Sequence, residues 1–285
     1  MRVFNDKNEL RSLLDRERSK NRTIGLVPTM GALHAGHLSL VERAFSANDV
    51  TVVTIFINPT QFDNPDDLEK YPQSMDNDLR LLAQVSDQIL VYAPTKEGVY
   101  DGEIISKTYN FNGLEKAMEG AFRTGHFDGV ATIVEILLNI VEPTRAYFGE
   151  KDFQQLQIIR KLVEQKKLPY TIIGCPIERE TNGLARSSRN ERLSEATRER
   201  AGRIYSILQT AKVKFGTESA LDIKGWVADE FQHDPIFELE YFEIADVTTL
   251  TPMIKKQKNR TYRAFIAVYA ENVRLIDNIA LNQAD

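Results

Sequence analysis

Between residues 23 and 176, short apolar runs rich in β-branched residues alternate with amphipathic stretches, and few architectures accommodate that rhythm. TIGLVP (23–28), DVTVVTIFINP (49–59), QILVYAP (88–94), RAYFG (145–149) and YTIIGCP (170–176) read as strands. HLSLVERAFSAN (37–48), MDNDLRLLAQV (75–85), GVATIVEILLNIV (129–141) and DFQQLQIIRKLVEQKK (152–167) read as helices. Leu38, Val41 and Phe45 share one face of the first helix, and Phe153, Leu156, Ile159 and Val163 one side of the last. The strands are apolar almost throughout, as strands buried on both faces must be. The alternation therefore predicts an α/β fold, a parallel sheet clad in helices.

Past Pro176 the character changes. SEATRERAGRIYSILQTAKVKF (194–215) reads as one long charged amphipathic helix and ALDIKGWVADEFQ (220–232) as another. FELEYFEIADV (237–247) and TYRAFIAVYA (261–270) alternate as antiparallel strands do, with the lysine-rich IKKQKNR (254–260) as a solvated hairpin loop. The expected division is a nucleotide-binding, Rossmann-like domain over 1–176 and a smaller α+β domain over 177–285.

Composition removes several classes of function. With 285 residues, 42% of them hydrophobic, the chain can bury a sizeable core in one or two domains. A net charge of −5 argues against a broad nucleic-acid footprint. Its one cysteine, Cys175 in an apolar strand, cannot form a disulfide within the chain, which suits a reducing compartment. The first twenty residues lack an apolar signal core, and VATIVEILLNIV (130–141) carries Glu135 and Asn139 and is too short to span a bilayer. The expectation is a soluble cytoplasmic protein without membrane or nucleic-acid partners.

Ligands of open parallel sheets bind beyond the carboxyl ends of the strands, so the segments after each strand carry the chemistry. The first is PTMGALHAGH (28–37), which holds two of the four histidines, His34 and His37. Gly31 and Gly36 have the G-x-x-x-x-G spacing of a P-loop, but His37 stands in place of its lysine and Leu38 in place of its Ser or Thr. H-x-x-H without an internal glutamate is a poor zinc motif, and two histidines capping a turn is the plain structural alternative. A helix N-terminus with two imidazoles suits an anion, such as the oxygens of a polyphosphate. The second segment, FINPTQF (56–62), offers the amides Asn58 and Gln61 to a small polar substrate, although Asn-Pro also starts turns. In the third, FGEKDFQQL (148–156), Asp152 is placed to cap a helix, Lys151 to bring a cation to phosphates, and Gln155 to point to the same crevice. The fourth, NGLARSSRN (182–190), clusters Ser187, Ser188 and Arg189 as donors, or is a hydroxyl-rich linker. Asp76 and Asp78 are either magnesium ligands or ordinary first-turn helix residues, and Arg123 and His126 sit in a glycine-flanked loop, a lid or plain surface.

Together these segments resemble the pantothenate synthetases, or pantoate–β-alanine ligases. PTMGALHAGH looks like the HIGH motif of the nucleotidyltransferase superfamily and LARSSRN like its KMSKS loop; FINPTQF, YPQSMDNDL, FRTGHFDGVATIV, FGEKDFQQL, EYFEIAD and VRLIDNI fall in the family's order over nearly the whole chain. The resemblance implies a Rossmann-like domain binding ATP and pantoate, and a C-terminal domain acting as a lid. It implies an AMP-forming ligase that joins (R)-pantoate to β-alanine through a pantoyl adenylate, with Mg2+ accompanying ATP, and a homodimer. By the same resemblance Met30, Gly31, Ala32, Leu33, His34, Ala35, Gly36 and His37 would hold ATP, as would Gly149, Glu150, Lys151, Asp152, Glu178, Arg186, Ser187, Ser188 and Arg189. His37, His34 and Lys151 would act on the phosphates, Gln61 and Gln155 would hold pantoate, Gln61 would also lie near β-alanine, and Asp78 is the candidate metal ligand. Three positions depart from the family's usual residues: Arg186 replaces a methionine, Asn182 an aspartate and Glu178 a branched apolar residue. Glu178 and Arg186 could pair with each other. A simple nucleotidyltransferase acting on a phosphorylated acceptor is the rival reading, and Gln61 and Gln155 in place of cations argue against it. A non-catalytic nucleotide-binding protein is a third, opposed by the intact set of His, Lys, Ser and Arg.

Overall fold

A computed structural model describes residues 1–62, 68–100 and 102–282. The chain divides into two compact units: Met1–Glu150 with Gln155–Pro176, and Lys151–Gln154 with Ile177–Asp285.

The first unit is built on six parallel strands: β1 (Arg2–Phe4), β2 (Ile24–Thr29), β3 (Val50–Ile55), β4 (Leu90–Tyr92), β5 (Arg145–Gly149) and β6 (Thr171–Cys175). Their spatial order is β1-β4-β3-β2-β5-β6. From β2 the chain winds outward through β3 and β4, then returns to the other side of β2 as β5 and β6. The winding thus reverses between β2 and β5, where such sheets bind ligands. Five of these strands fall where the apolar runs lie. β1 does not announce itself, because two of its three residues are exposed and its run is too short to show a period.

The long helices are α1 (Lys7–Arg18), α2 (Ala35–Ala47), α3 (Met75–Val85), α4 (His126–Val141) and α5 (Phe153–Lys166). Val27, Val53 and Val91 from the sheet meet Leu40, Val41, Ala44 and Leu82 from the helices in one core. Leu33 belongs to this core, so the loop after β2 is anchored by an apolar side chain at its centre. Cys175 is buried in the same cluster, and burial pushes its thiol pKa up, as for an inert packing residue. No described helix is long and apolar enough to cross a membrane.

In the second unit, β7 (Phe237–Asp246), β8 (Tyr262–Ala270) and β9 (Val273–Ala280) form an antiparallel sheet in that order. Helices α6 (Arg203–Lys214) and α7 (Ala220–Phe231) cover it through Ile204, Leu208, Ile223 and Val227. The helix expected over 194–215 is broken: Glu195–Arg200 ends before α6 begins. The break falls at Gly202, just past the C-cap Ala201, where only a glycine fits because a Cβ would come within 2.2 Å of the Asn182 carbonyl oxygen. IKKQKNR lies between β7 and β8, as the hairpin reading expects.

Candidate active site

The loop between β2 and α2 is fixed by two polar side chains, Thr29 and Asp78. Thr29 donates its hydroxyl to the Thr54 carbonyl (2.7 Å) and accepts from the Gly31 N–H (3.2 Å). Gly31 has φ of +80°, the left-handed region that suits glycine, and a Cβ there would lie 2.9 Å from Asp78 Oδ2. Asp78, on α3, accepts from the Ala32 N–H (3.0 Å) and the Leu33 N–H (2.7 Å), one to each carboxylate oxygen. Burial pushes its pKa up, and these two bonds pull the other way.

Asp78 therefore acts as a clasp on the loop. The residue is 1% exposed and both carboxylate oxygens are engaged by main chain. Among the described residues, no three His, Cys, Asp or Glu side chains gather into a group that could hold a metal ion. Asp78→Asn keeps one acceptor but turns an N–H toward a backbone N–H. It is expected to destabilise the fold by about 1–3 kcal/mol. Urea unfolding checks this, and an unchanged midpoint would show that the clasp is unimportant.

His34 is the N-cap of α2, and its Nδ1 accepts from the Gly36 N–H at 3.1 Å. An accepting Nδ1 leaves the proton of the neutral ring on Nε2. His37 lies in the first helical turn, with ring centroids 4.1 Å apart and planes inclined by 37°. Both imidazoles thus stand at the positive end of the helix dipole, beyond the carboxyl end of β2.

The turn after β3 is a short 3-10 helix, Pro59–Gln61. Asn58 is buried and spends itself within the protein. Its amide donates to Gln61 Oε1 and to the Gly129 carbonyl, both at 3.1 Å. Its oxygen accepts from the hydroxyls of Thr60 (3.0 Å) and Tyr100. Gln61 Nε2 points to Met30 Sδ at 3.0 Å, so the amide turn and the histidine loop touch. The main chain of Gln61 is held from α4, where His126 Nδ1 lies 2.7 Å from its carbonyl oxygen. A carbonyl only accepts, so Nδ1 carries the proton; Arg123, which only donates, lies 3.1 Å from His126 Nε2 and fits the same tautomer. Within FRTGHFDGV, His126 thus opens α4 and supports the main chain of Gln61. Gln155 is half-buried in the first turn of α5.

After Gly149 at the end of β5, Glu150–Asp152 form a 3-10 turn that runs directly into α5, so Asp152 continues a helical stretch where a cap is expected. Lys151 Nζ is 3.9 Å from Asp152 Oδ1. In the second unit, residues 178–186 form a tight hairpin. Glu178 and Arg186 meet through the main chain, the Arg186 N–H donating to the Glu178 carbonyl (2.9 Å). Arg179 grips Asp277 through two bonds (2.6 and 3.0 Å) and lays its guanidinium 3.6 Å from the Tyr205 ring centroid. Asn182 accepts from the Leu184 N–H and donates to the carbonyls of Arg198 and Glu199, which gives this departure a structural use. Ser187 caps the 3-10 helix Ser188–Arg192, accepting from the Arg189 N–H at 3.3 Å.

A parallel sheet that presents a glycine-turned loop, two imidazoles and a helix N-terminus at its switch point defines a phosphate-handling α/β enzyme. The model of the pantoate–beta-alanine ligases matches residues 2–280, and the chain belongs to that family, whose members form a carbon–nitrogen bond. It is 54% identical over 282 residues to the pantothenate synthetase of Christiangramia forsetii, covering 99% of this chain and 100% of that one. With that of Flavobacterium psychrophilum it shares 52% identity over 281 residues, with 99% and 100% covered. The crystal structure of pantothenate synthetase from Thermus thermophilus superposes with a TM-score of 0.90 at 38% identity, covering 99% of this chain and all of that one. The pantoate–beta-alanine ligase of Francisella tularensis, complexed with beta-gamma ATP and beta-alanine, gives 0.79 at 34% identity, with 100% and 99% covered.

Proposed function

We propose that the chain makes pantothenate in two steps. A pantoate carboxylate oxygen attacks the α-phosphorus of ATP, forming pantoyl adenylate and releasing pyrophosphate. The β-alanine amine then attacks the acyl carbon, forming the amide and releasing AMP. The observation that carries this reading is the pair His34 and His37 at the start of α2, with the Gln61 amide held beside the same loop at Met30. No protein nucleophile is required, because the substrate's own carboxylate attacks; the protein supplies position and charge. His37 and the Nε2–H of His34 donate to phosphate oxygens, along with N–H groups of residues 30–37. Gln61 and Gln155 hold pantoate, and Gln61 also orients β-alanine. Lys151 brings a cation to the phosphates, with Gly149, Glu150 and Asp152 along the nucleotide. Ser187, Ser188 and Arg189 donate to the leaving pyrophosphate, and Glu178 and Arg186 lie toward adenine. Magnesium enters on the ATP phosphates, as that hard cation commonly does. The Francisella tularensis protein, complexed with an ATP compound and beta-alanine, supports the choice of substrates.

Pantoate-dependent exchange of labelled pyrophosphate into ATP, without β-alanine, is the expected result. Pantoate labelled with 18O in its carboxylate should pass one label to AMP once β-alanine is added. ADP and phosphate as products, or label absent from AMP, would replace the adenylate by an acyl phosphate and sink the reading.

A further inference from the structure

Within the second unit, the short stretch Lys151–Gln154 is docked on the antiparallel sheet. Asn278 on β9 donates its side-chain amide to the Lys151 carbonyl oxygen at 2.8 Å. Its own oxygen accepts from Arg263 on β8, a neighbour two strand positions from its cross-strand partner Phe265. Arg263 in turn places its guanidinium 4.1 Å from the Phe153 ring centroid, and Phe265 packs its ring 6.0 Å from Phe153. The residue before Asn278 is Asp277, which holds Arg179 at the base of the hairpin leading to Ser187. Successive residues of a strand point to opposite faces. Two adjacent side chains of β9 therefore tether two segments that are far apart in sequence.

We propose that Asn278 is a positioning residue for Lys151: its amide fixes the main chain from which the ammonium group reaches the phosphates. This rests on the role proposed for Lys151 in adenylation. Three facts favour a positioning role over mere packing. Asn278 is 2% exposed, so its amide must be satisfied inside the protein. The bond it makes is to main chain, which it can fix without competing for the lysine's charge. Lys151 also has only 18% of its side chain exposed, so a displaced backbone cannot be offset by free rotation of a solvated stem.

A double-mutant cycle tests this. Asn278→Asp keeps size and the acceptor for Arg263 but cannot donate to the Lys151 carbonyl. It is expected to lower pantoate-dependent ATP–pyrophosphate exchange by about 10- to 10²-fold, with KM for β-alanine unmoved. In a Lys151→Met background the same change should cost less than about twofold, because the group being positioned is gone. Full additivity of the two changes, or an Asn278→Asp protein with unchanged exchange, overturns the inference. If Lys151→Met itself leaves exchange intact, the role given to Lys151 fails, and this inference with it. If Lys151→Met is impaired but the cycle is additive, only the role of Asn278 fails. Should Asn278→Asp not fold, Asn278→Ser, uncharged and too short to reach, goes through the same cycle and is read the same way.

Discussion

Replacing His37 by alanine should slow pantoate-dependent ATP–pyrophosphate exchange by a factor on the order of 10²–10⁴, the usual worth of a positioned proton donor. The helix itself should survive, because alanine is the best helix former and the cap of α2 is His34, not His37. The neighbouring substitution separates structure from chemistry. His34→Ala removes the bond to the Gly36 N–H as well as the proposed phosphate donor, so it should lose about 1 kcal/mol of stability in addition to rate. Single-turnover exchange and urea unfolding on both variants decide the matter. An unchanged exchange rate in His37→Ala would remove that residue from the mechanism. An equal loss of stability in both variants would make the pair a structural turn.

The sheet is legible because its signal is local. DVTVVTIFINP is β-branched and apolar over successive residues, and MDNDLRLLAQV has a helical period, so β3 and α3 fall within those stretches. What holds these segments within each unit is not local. The Ala32 and Leu33 N–H groups are held by Asp78, the Gln61 carbonyl by His126 and the Lys151 carbonyl by Asn278, over separations of 45 residues and more. No spacing rule reaches across such distances, so the clasp that Asp78 makes on the loop is not visible in MDNDL. The same limit explains the broken helix. In SEATRERAGRIYSIL the only local mark of an end at Ala201 is Gly202 after the basic last turn, and the close approach of Asn182 to that glycine is seen only in the fold. β9 escapes the strand pattern for a different reason: VRLIDNIA places Asp277 and Asn278 where apolar residues belong. Both are buried, and both are used for tethering. A buried polar pair that interrupts a strand pattern is thus the local trace of a distant connection.

Gly129 tests the other side of the site, and Gly129→Ala is expected to cost about 1–3 kcal/mol of stability and about 10² in adenylation rate. The glycine is not needed for its φ, since it lies in the first turn of α4. It is needed because a Cβ there would lie 2.2 Å from the Thr60 carbonyl oxygen, 2.5 Å from its carbon and 2.7 Å from Gln61 Cα. All three are main-chain atoms, so no rotamer change can make room, and either the helix or the Pro59–Gln61 turn must move by about 1 Å. That movement strains the bonds from Asn58 to the Gly129 carbonyl and from His126 to the Gln61 carbonyl, which together aim the Gln61 amide. KM for pantoate should rise along with the fall in rate if the displaced Gln61 amide holds pantoate as proposed. At Gly225, within α7, an added Cβ would meet nothing within 4 Å. Gly225→Ala should therefore stabilise by about 0.5–1 kcal/mol through helix propensity alone. Denaturant unfolding and initial rates on the two variants measure opposite signs if the close approach at Gly129 governs Gln61. A Gly129→Ala protein as stable and as active as the parent would show that the turn adapts, and that the Gln61 amide is not held where the geometry places it.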